Sequence, residues 1–160
     1  MASYNDEQKR TIMEMPAAVL LGAILADAGS AIVGMREFIT GEKFISEAGT
    51  IYRNNALIQE MVKDVHLPEL ERVVQPVLSL GNLDGIRAEC WKKIDAGLNV
   101  MANDQEADQF KAFLVALAEK VVNAAGEGFF GNRGARVSTN EAAYMQQLKE
   151  HLHITAMPMA

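Results

Sequence analysis

The densest chemistry in the chain lies between Gly126 and Arg136, in the stretch GEGFFGNRGAR. Glycines at 126, 128, 131 and 134 let backbone approach a ligand closely. Arg133 and Arg136 supply fixed positive charge. Ser138 and Glu141 follow in the S-x-x-E spacing of a helix capping box. A helix N-terminus attracts anions, so Arg133, Arg136 and Ser138 together form a candidate anion site. The pattern G-x-x-x-x-G-K-S/T of a phosphate loop is absent, and no strand precedes the G-x-G at Gly126. Phe129 and Phe130 open two further readings: they plug the core, or they contact a protein partner, where aromatics and arginine are favoured.

Asp27 is a carboxylate on an otherwise apolar helix and is the candidate functional acid; the plainer reading is a helix-end carboxylate that caps Gly29 or Ser30 or faces solvent. Asp104, Glu106 and Asp108 alternate like oxygen ligands, but the glycine and distal glutamate of a calcium loop are missing. They read as a solvated helix start, and no metal ligands are assigned. His151 and His153 are two apart and point to different helix faces, a spacing that disfavours joint metal ligation; His66 stands alone, and all three read as surface residues. Cys90, the only cysteine, reads as a buried thiol beside the only tryptophan, Trp91. Tyr4, Tyr52 and Tyr144 have no evident partners. No nucleophile–base–acid set emerges, so catalysis is disfavoured, and no cofactor motif is present.

The elements that would position these residues are helices. A short polar helix is expected over 7–15 with Asp6 as N-cap, then an apolar helix over 16–28 with Pro16 in its first turn. Ala18, Gly22 and Ala26 fall on one face of it and permit close approach of another helix. Helices follow over 31–39, with Ile32, Met35 and Ile39 on one side, and over 42–53 after an interruption at Gly41. Another runs to about Val65, and a next one starts at Pro68 with a kink or break at Pro76. Ile86, Cys90, Ile94, Leu98 and Met101 form a stripe across 85–101; Phe110, Phe113, Leu114, Leu117 and Val121 form another across 105–125. The last helix runs to about His153, with Ala142, Met145, Leu148 and Leu152 inward. No alternating run reads as a strand. The expected fold is all-α: a single bundle of about seven to eight helices over residues 1–154, with a loose tail at 155–160.

Composition bounds the partners. A chain of 160 residues with 49% hydrophobic content suffices for one domain with a real core. A net charge of −6 argues against nucleic acid as a partner. One cysteine and the absence of an apolar leader point to the cytoplasm. Residues 15–35 approach the length of a membrane span, but Asp27 near its middle and the helix-breaking Asp-Ala-Gly-Ser step disfavour a membrane location.

Two stretches, LLGAILADAGSA (20–31) and VVNAAGEGFFGNRGARVSTNEAAYMQQLKEHLHI (121–154), resemble the repeat of the TerB-like tellurite-resistance family. The shared pattern is an apolar helix ending in Ala-Asp-Gly or a relative, a turn, a capping residue and an amphipathic helix. The resemblance implies a helical bundle with an internal pseudo-repeat and a stress-associated, non-catalytic role. Asp27 is separated from Gly29 by Ala28, and Ala125 stands where the second aspartate would be, so the family's metal-binding acids do not carry over. The expected function is a non-enzymatic binding or scaffolding protein. Its partner is a protein or a second copy, held at Phe129, Phe130, Arg133 and Arg136. The alternative is a small-molecule binder, holding an apolar ligand between helices or an anion at 126–138. A cavity beside the Ala18–Gly22–Ala26 face is the mark of that alternative.

Overall fold

The computed structural model describes residues 3–27, 31–126 and 137–154. Among these residues the protein is all-helical, with seven helices packed as one body: α1 (Asp6–Ile24), α2 (Ala31–Ile51), α3 (Ala56–Asp64), α4 (Leu67–Leu78), α5 (Leu83–Val100), α6 (Ala107–Gly126) and α7 (Thr139–His151). No described helix is long and apolar enough to cross a membrane. The expected tail at 155–160 lies outside the described residues.

The apolar segment forms the axis of the bundle. Residues 15–23 of α1 are all buried, and α2, α4, α5, α6 and α7 pack around it. The two helices expected over 7–15 and 16–28 are one. Asn5, rather than Asp6, is its N-cap and forms a reciprocal capping box with Gln8. Pro16 sits in the interior of this helix, not in a first turn. It leaves the Ile12 carbonyl without its usual donor, and its ring is buried where packing on all sides holds the helix in place.

Gly41 does not interrupt α2; it is a notch. A Cβ there would collide with Leu20 of α1 and meet Val121 of α6 at 3.1 Å. The buried stripe of α2 is therefore Glu37, Gly41, Phe44, Ile45 and Ala48, one turn apart or less. Met35 and Ile39, expected on one side of this helix, are 67% and 59% exposed. Likewise Gly97 takes Met15 against α5, so Leu98 is only half-buried. Pro76 neither breaks nor ends α4 early; it falls in the last turn, and the helix closes two residues later at Leu78. The α3 residues Leu57, Ile58 and Met61, Val65 just beyond them, and all five predicted α6 residues are buried.

The acids before α6 are structural. Asn55, the N-cap of α3, is 1% exposed; its Oδ1 accepts from Ile58 N–H at 2.9 Å and its amide donates to the Glu106 carbonyl at 3.0 Å. The Glu106 carboxylate accepts from Ala56 N–H at 3.1 Å and Leu57 N–H at 3.3 Å. The first three N–H groups of α3 are thus satisfied, with a negative charge at the positive end of the helix. Asp104 accepts the Tyr4 hydroxyl at 2.6 Å and Glu106 N–H at 2.8 Å. Of the three acids expected to be solvated, only Asp108 is exposed. Glu106→Gln, which keeps the shape and removes the charge, should cost about 1 kcal/mol in denaturant unfolding. A cost within error of zero would show that the carboxylate does not hold α3.

Candidate ligand cleft between α1, α5 and α7

Gly22 is the origin of the site. A Cβ there would lie 2.6 Å from the Tyr144 hydroxyl oxygen and 2.9 Å from two of its ring carbons. Only glycine lets the Tyr144 ring lie against α1. The phenol then reaches past it and donates to the Val19 carbonyl at 3.1 Å. Burial holds this phenol well above its usual range, so it is a fixed donor. Tyr144, which had no expected partner, is thereby the anchor of α7 on α1.

Beside that contact lies a half-open cleft of about 350 Å³. Gly22 and Ala26 form its floor from α1 and the residues just past it. From α5 come Cys90 and Ile94, one turn apart, and Arg87 and Trp91, also one turn apart. From α7 come Asn140, Ala143, Tyr144 and Gln147. Among the described residues Arg87 is the single formally charged residue of the lining. Its Nη2 donates to the Leu25 carbonyl at 2.8 Å, which closes the end of α1 and fixes the guanidinium at the rim. The Cys90 thiol is pushed up to about 11, mainly by burial and then by Glu89, so it stays protonated at neutral pH and serves as wall rather than nucleophile.

Trp91 is held from behind. The His151 ring stacks on it at 4.3 Å between centroids with an 11° tilt, and His151 Nδ1 lies 2.8 Å from the Asp95 carboxylate. Tyr144 packs against the same indole at 5.4 Å. Arg87, Trp91 and Asp95 therefore form a stripe at i, i+4 spacing beside the apolar stripe of α5. The apolar stripe of α5, with Cys90 and Ile94, was legible; the facing stripe on α7 was not, because Ala142, expected inward, is exposed and Tyr144 takes its place.

The other predicted site residues fall apart from this cleft. Phe129, Phe130, Arg133 and Arg136 lie outside the described residues. Ser138 is the N-cap of α7; its hydroxyl accepts Glu141 N–H at 3.1 Å and its own N–H donates to the Glu141 carboxylate at 2.7 Å, completing the expected capping box. Asp27 is exposed, as are His66 and His153. The described residues hold no group of three or more His, Cys, Asp or Glu arranged for a metal ion.

The acid with unusual chemistry is Glu37. It is 3% exposed, and its carboxyl is pushed up to about 7, first by burial and then by the charges of Glu141 and Asp27. Its place in the buried stripe one turn before Gly41 is the sequence signal that marks it. The raised value fixes the sign of its linkage: below about 4.5 the carboxyl is neutral folded and unfolded, and stability is lost as pH rises from there through about 7. Glu37→Gln should match wild type near pH 4 and be more stable at pH 8 by about 2 kcal/mol, read as a melting temperature higher by roughly 4–8 °C. Equal melting temperatures at pH 8 would show that the carboxyl is ionised without cost.

A second concavity of about 550 Å³ lies between α1, α3 and α4. Met13, Leu70 and Val73 contribute to its apolar floor, while Asp6, Glu14, Asp64 and Glu69 alternate with Lys9, Arg10 and Arg72 around it. Four acids stand against three bases, so the groove carries no strong net charge. Compared with family models, with curated proteins and with solved structures, the chain matches none.

Proposed function

We propose that the protein is a non-enzymatic helical domain that binds a small molecule in the α1–α5–α7 cleft. The observation that carries this reading is a cleft of about 350 Å³ on the Gly22 and Ala26 face of α1, the location the small-residue stripe singled out. Its size falls within the range of about 300–1,000 Å³ typical of ligand sites. Its lining sets an apolar and aromatic part, Ile94, Cys90, Trp91 and Tyr144, beside the polar Arg87, Asn140 and Gln147, so one ligand can meet both kinds of group. A stress-associated role, implied by the TerB-like pattern, belongs to the same proposal.

A thermal-shift screen of small organic molecules tests it, run on wild type beside Ala143→Phe. Ala143 lines the cleft and is exposed, so a phenylalanine there fills space without disturbing the core. A ligand present at 100 times its Kd stabilises by about 2.7 kcal/mol, or roughly 5–10 °C for a domain of this size. Compounds should raise the melting temperature of wild type and leave Ala143→Phe unmoved. Equal shifts on both proteins, or none on either, would overturn the reading.

The second reading is contact with a protein partner or a second copy. It is favoured by exposed apolar residues that sit together: Met35 and Ile39 one turn apart on α2, and Leu78, Leu80 and Leu83 around the turn between α4 and α5.

A further inference from the structure

We infer that the ligand of this cleft is a planar aromatic anion, such as an aromatic carboxylate, with its charge on Arg87 and its ring against Trp91. The inference rests on the cleft being a binding site and adds the class of molecule that it selects.

The charge follows from Arg87. The whole chain carries −6, yet among the described residues the cleft lining contains one formal charge, and that charge is positive. A guanidinium has five N–H donors; the bond to the Leu25 carbonyl uses one nitrogen and holds the group in place at the rim. A carboxylate arriving there forms charge-assisted hydrogen bonds with a group that is already positioned, so little ordering cost remains. Among the described residues no lining residue is acidic. A cation would meet the single charge as repulsion.

The ring follows from the wall. Trp91 is fixed by the His151 stack and by Tyr144, two aromatic contacts. A rigid indole that lines a cleft favours flat partners, since stacked or edge contacts add to the gain from area alone. The Asn140 and Gln147 amides lie on the α7 side of the same cleft and offer hydrogen bonds to a polar ring substituent.

Trp91 is the only tryptophan, so a ¹⁵N-labelled sample gives one indole N–H signal, and that signal reports on the cleft. Three probes separate the parts of the inference: 2-naphthoate has ring and charge, 2-naphthalenemethanol has the ring alone, and cyclohexanecarboxylate has the charge alone. Naphthoate should move the indole signal with a Kd at least tenfold below that of either other probe. Arg87→Gln should bring naphthoate and the alcohol to equal affinity, while Arg87→Lys, which keeps the charge, should retain most of the difference. Because Arg87 also holds the end of α1, each variant is checked for an unchanged amide spectrum away from the cleft; Arg87→Lys carries the test if Arg87→Gln does not fold. Equal binding of naphthoate and the alcohol to wild type overturns the inference and leaves the cleft as a binding site. No response to any of the three also overturns it, and the binding reading falls with it only if the Ala143→Phe screen is blank too.

Discussion

Phe113→Ala should lower the stability of the protein by about 4 kcal/mol, the largest effect expected of any single truncation in the core. Phe113 is fully buried on α6 and is the hub of an aromatic cluster. Phe44 from α2 stacks on it at 5.9 Å, Tyr52 beyond the end of α2 meets it edge-on at 5.8 Å, and Phe110 lies 5.8 Å away on its own helix. Such ring pairs are worth about 0.5–1.5 kcal/mol beyond the area they bury. Alanine removes three contacts at once and leaves a cavity that two packed helices cannot close by a small shift. The melting temperature should fall by roughly 8–16 °C. Tyr52 offers an independent reading: burial and Glu119 hold its phenol above the usual range, so the variant should titrate at lower pH by absorbance. A loss below about 1 kcal/mol would mean that α2 and α6 do not meet through this cluster.

That cluster was half legible. Phe110 and Phe113 recur at helical spacing with Leu114, Leu117 and Val121, and a stripe of that kind dictates its own burial. Phe44, Ile45 and Ala48 were legible for the same reason. What periodicity could not supply was the role of small residues. Gly41 reads as a break because glycine has low helix propensity, a cost of about 1 kcal/mol per residue. The contact with Leu20 outweighs that cost, because it brings α2 close to the central helix. The buried face of α2 runs unbroken through Gly41, so it carries Glu37 inward and turns Met35 and Ile39 to solvent. Pro16 misled in the same direction: a residue rare in helix interiors is tolerated when every side of the helix is packed.

The site was legible in its floor and in the Cys90 and Ile94 stripe of α5, and not in its α7 wall. Ala18, Gly22 and Ala26 announce that something approaches α1, but a stripe of small residues does not name the visitor. Tyr144 arrives from 125 residues away and Glu106 caps a helix that begins 50 residues before it. Pairings of that range depend on the packing of whole helices, and a single sequence carries no local signal for them. The capping box at Ser138 and Glu141 was legible because its two partners are three residues apart.

Gly22→Val should destabilise the protein by about 3 kcal/mol and abolish ligand binding in the cleft, because the same atoms serve both. The nearest Tyr144 atoms lie 2.6–2.9 Å from where the new Cβ would be, and the ring is neither a flexible chain end nor free to turn while it donates to Val19. Tyr144 must leave, giving up that bond, worth about 1 kcal/mol, and entering the cleft beside Trp91. Gly34→Ala is the control. Among the described residues its Cβ would meet only Ile24 Cγ2, at 3.5 Å, an ordinary contact, so the helix gain of about 0.5–1 kcal/mol should appear as added stability. Two glycines in helices should thus respond with opposite signs: propensity decides at Gly34, and tertiary approach decides at Gly22. The paired measurement is denaturant unfolding of both variants with the Trp91 indole signal recorded in each. If Gly22→Val is as stable as wild type, α7 does not lie on α1 as described, and the cleft between them has no floor. If it is destabilised while naphthoate binds unchanged, Gly22 is a packing residue and the ligand sits elsewhere.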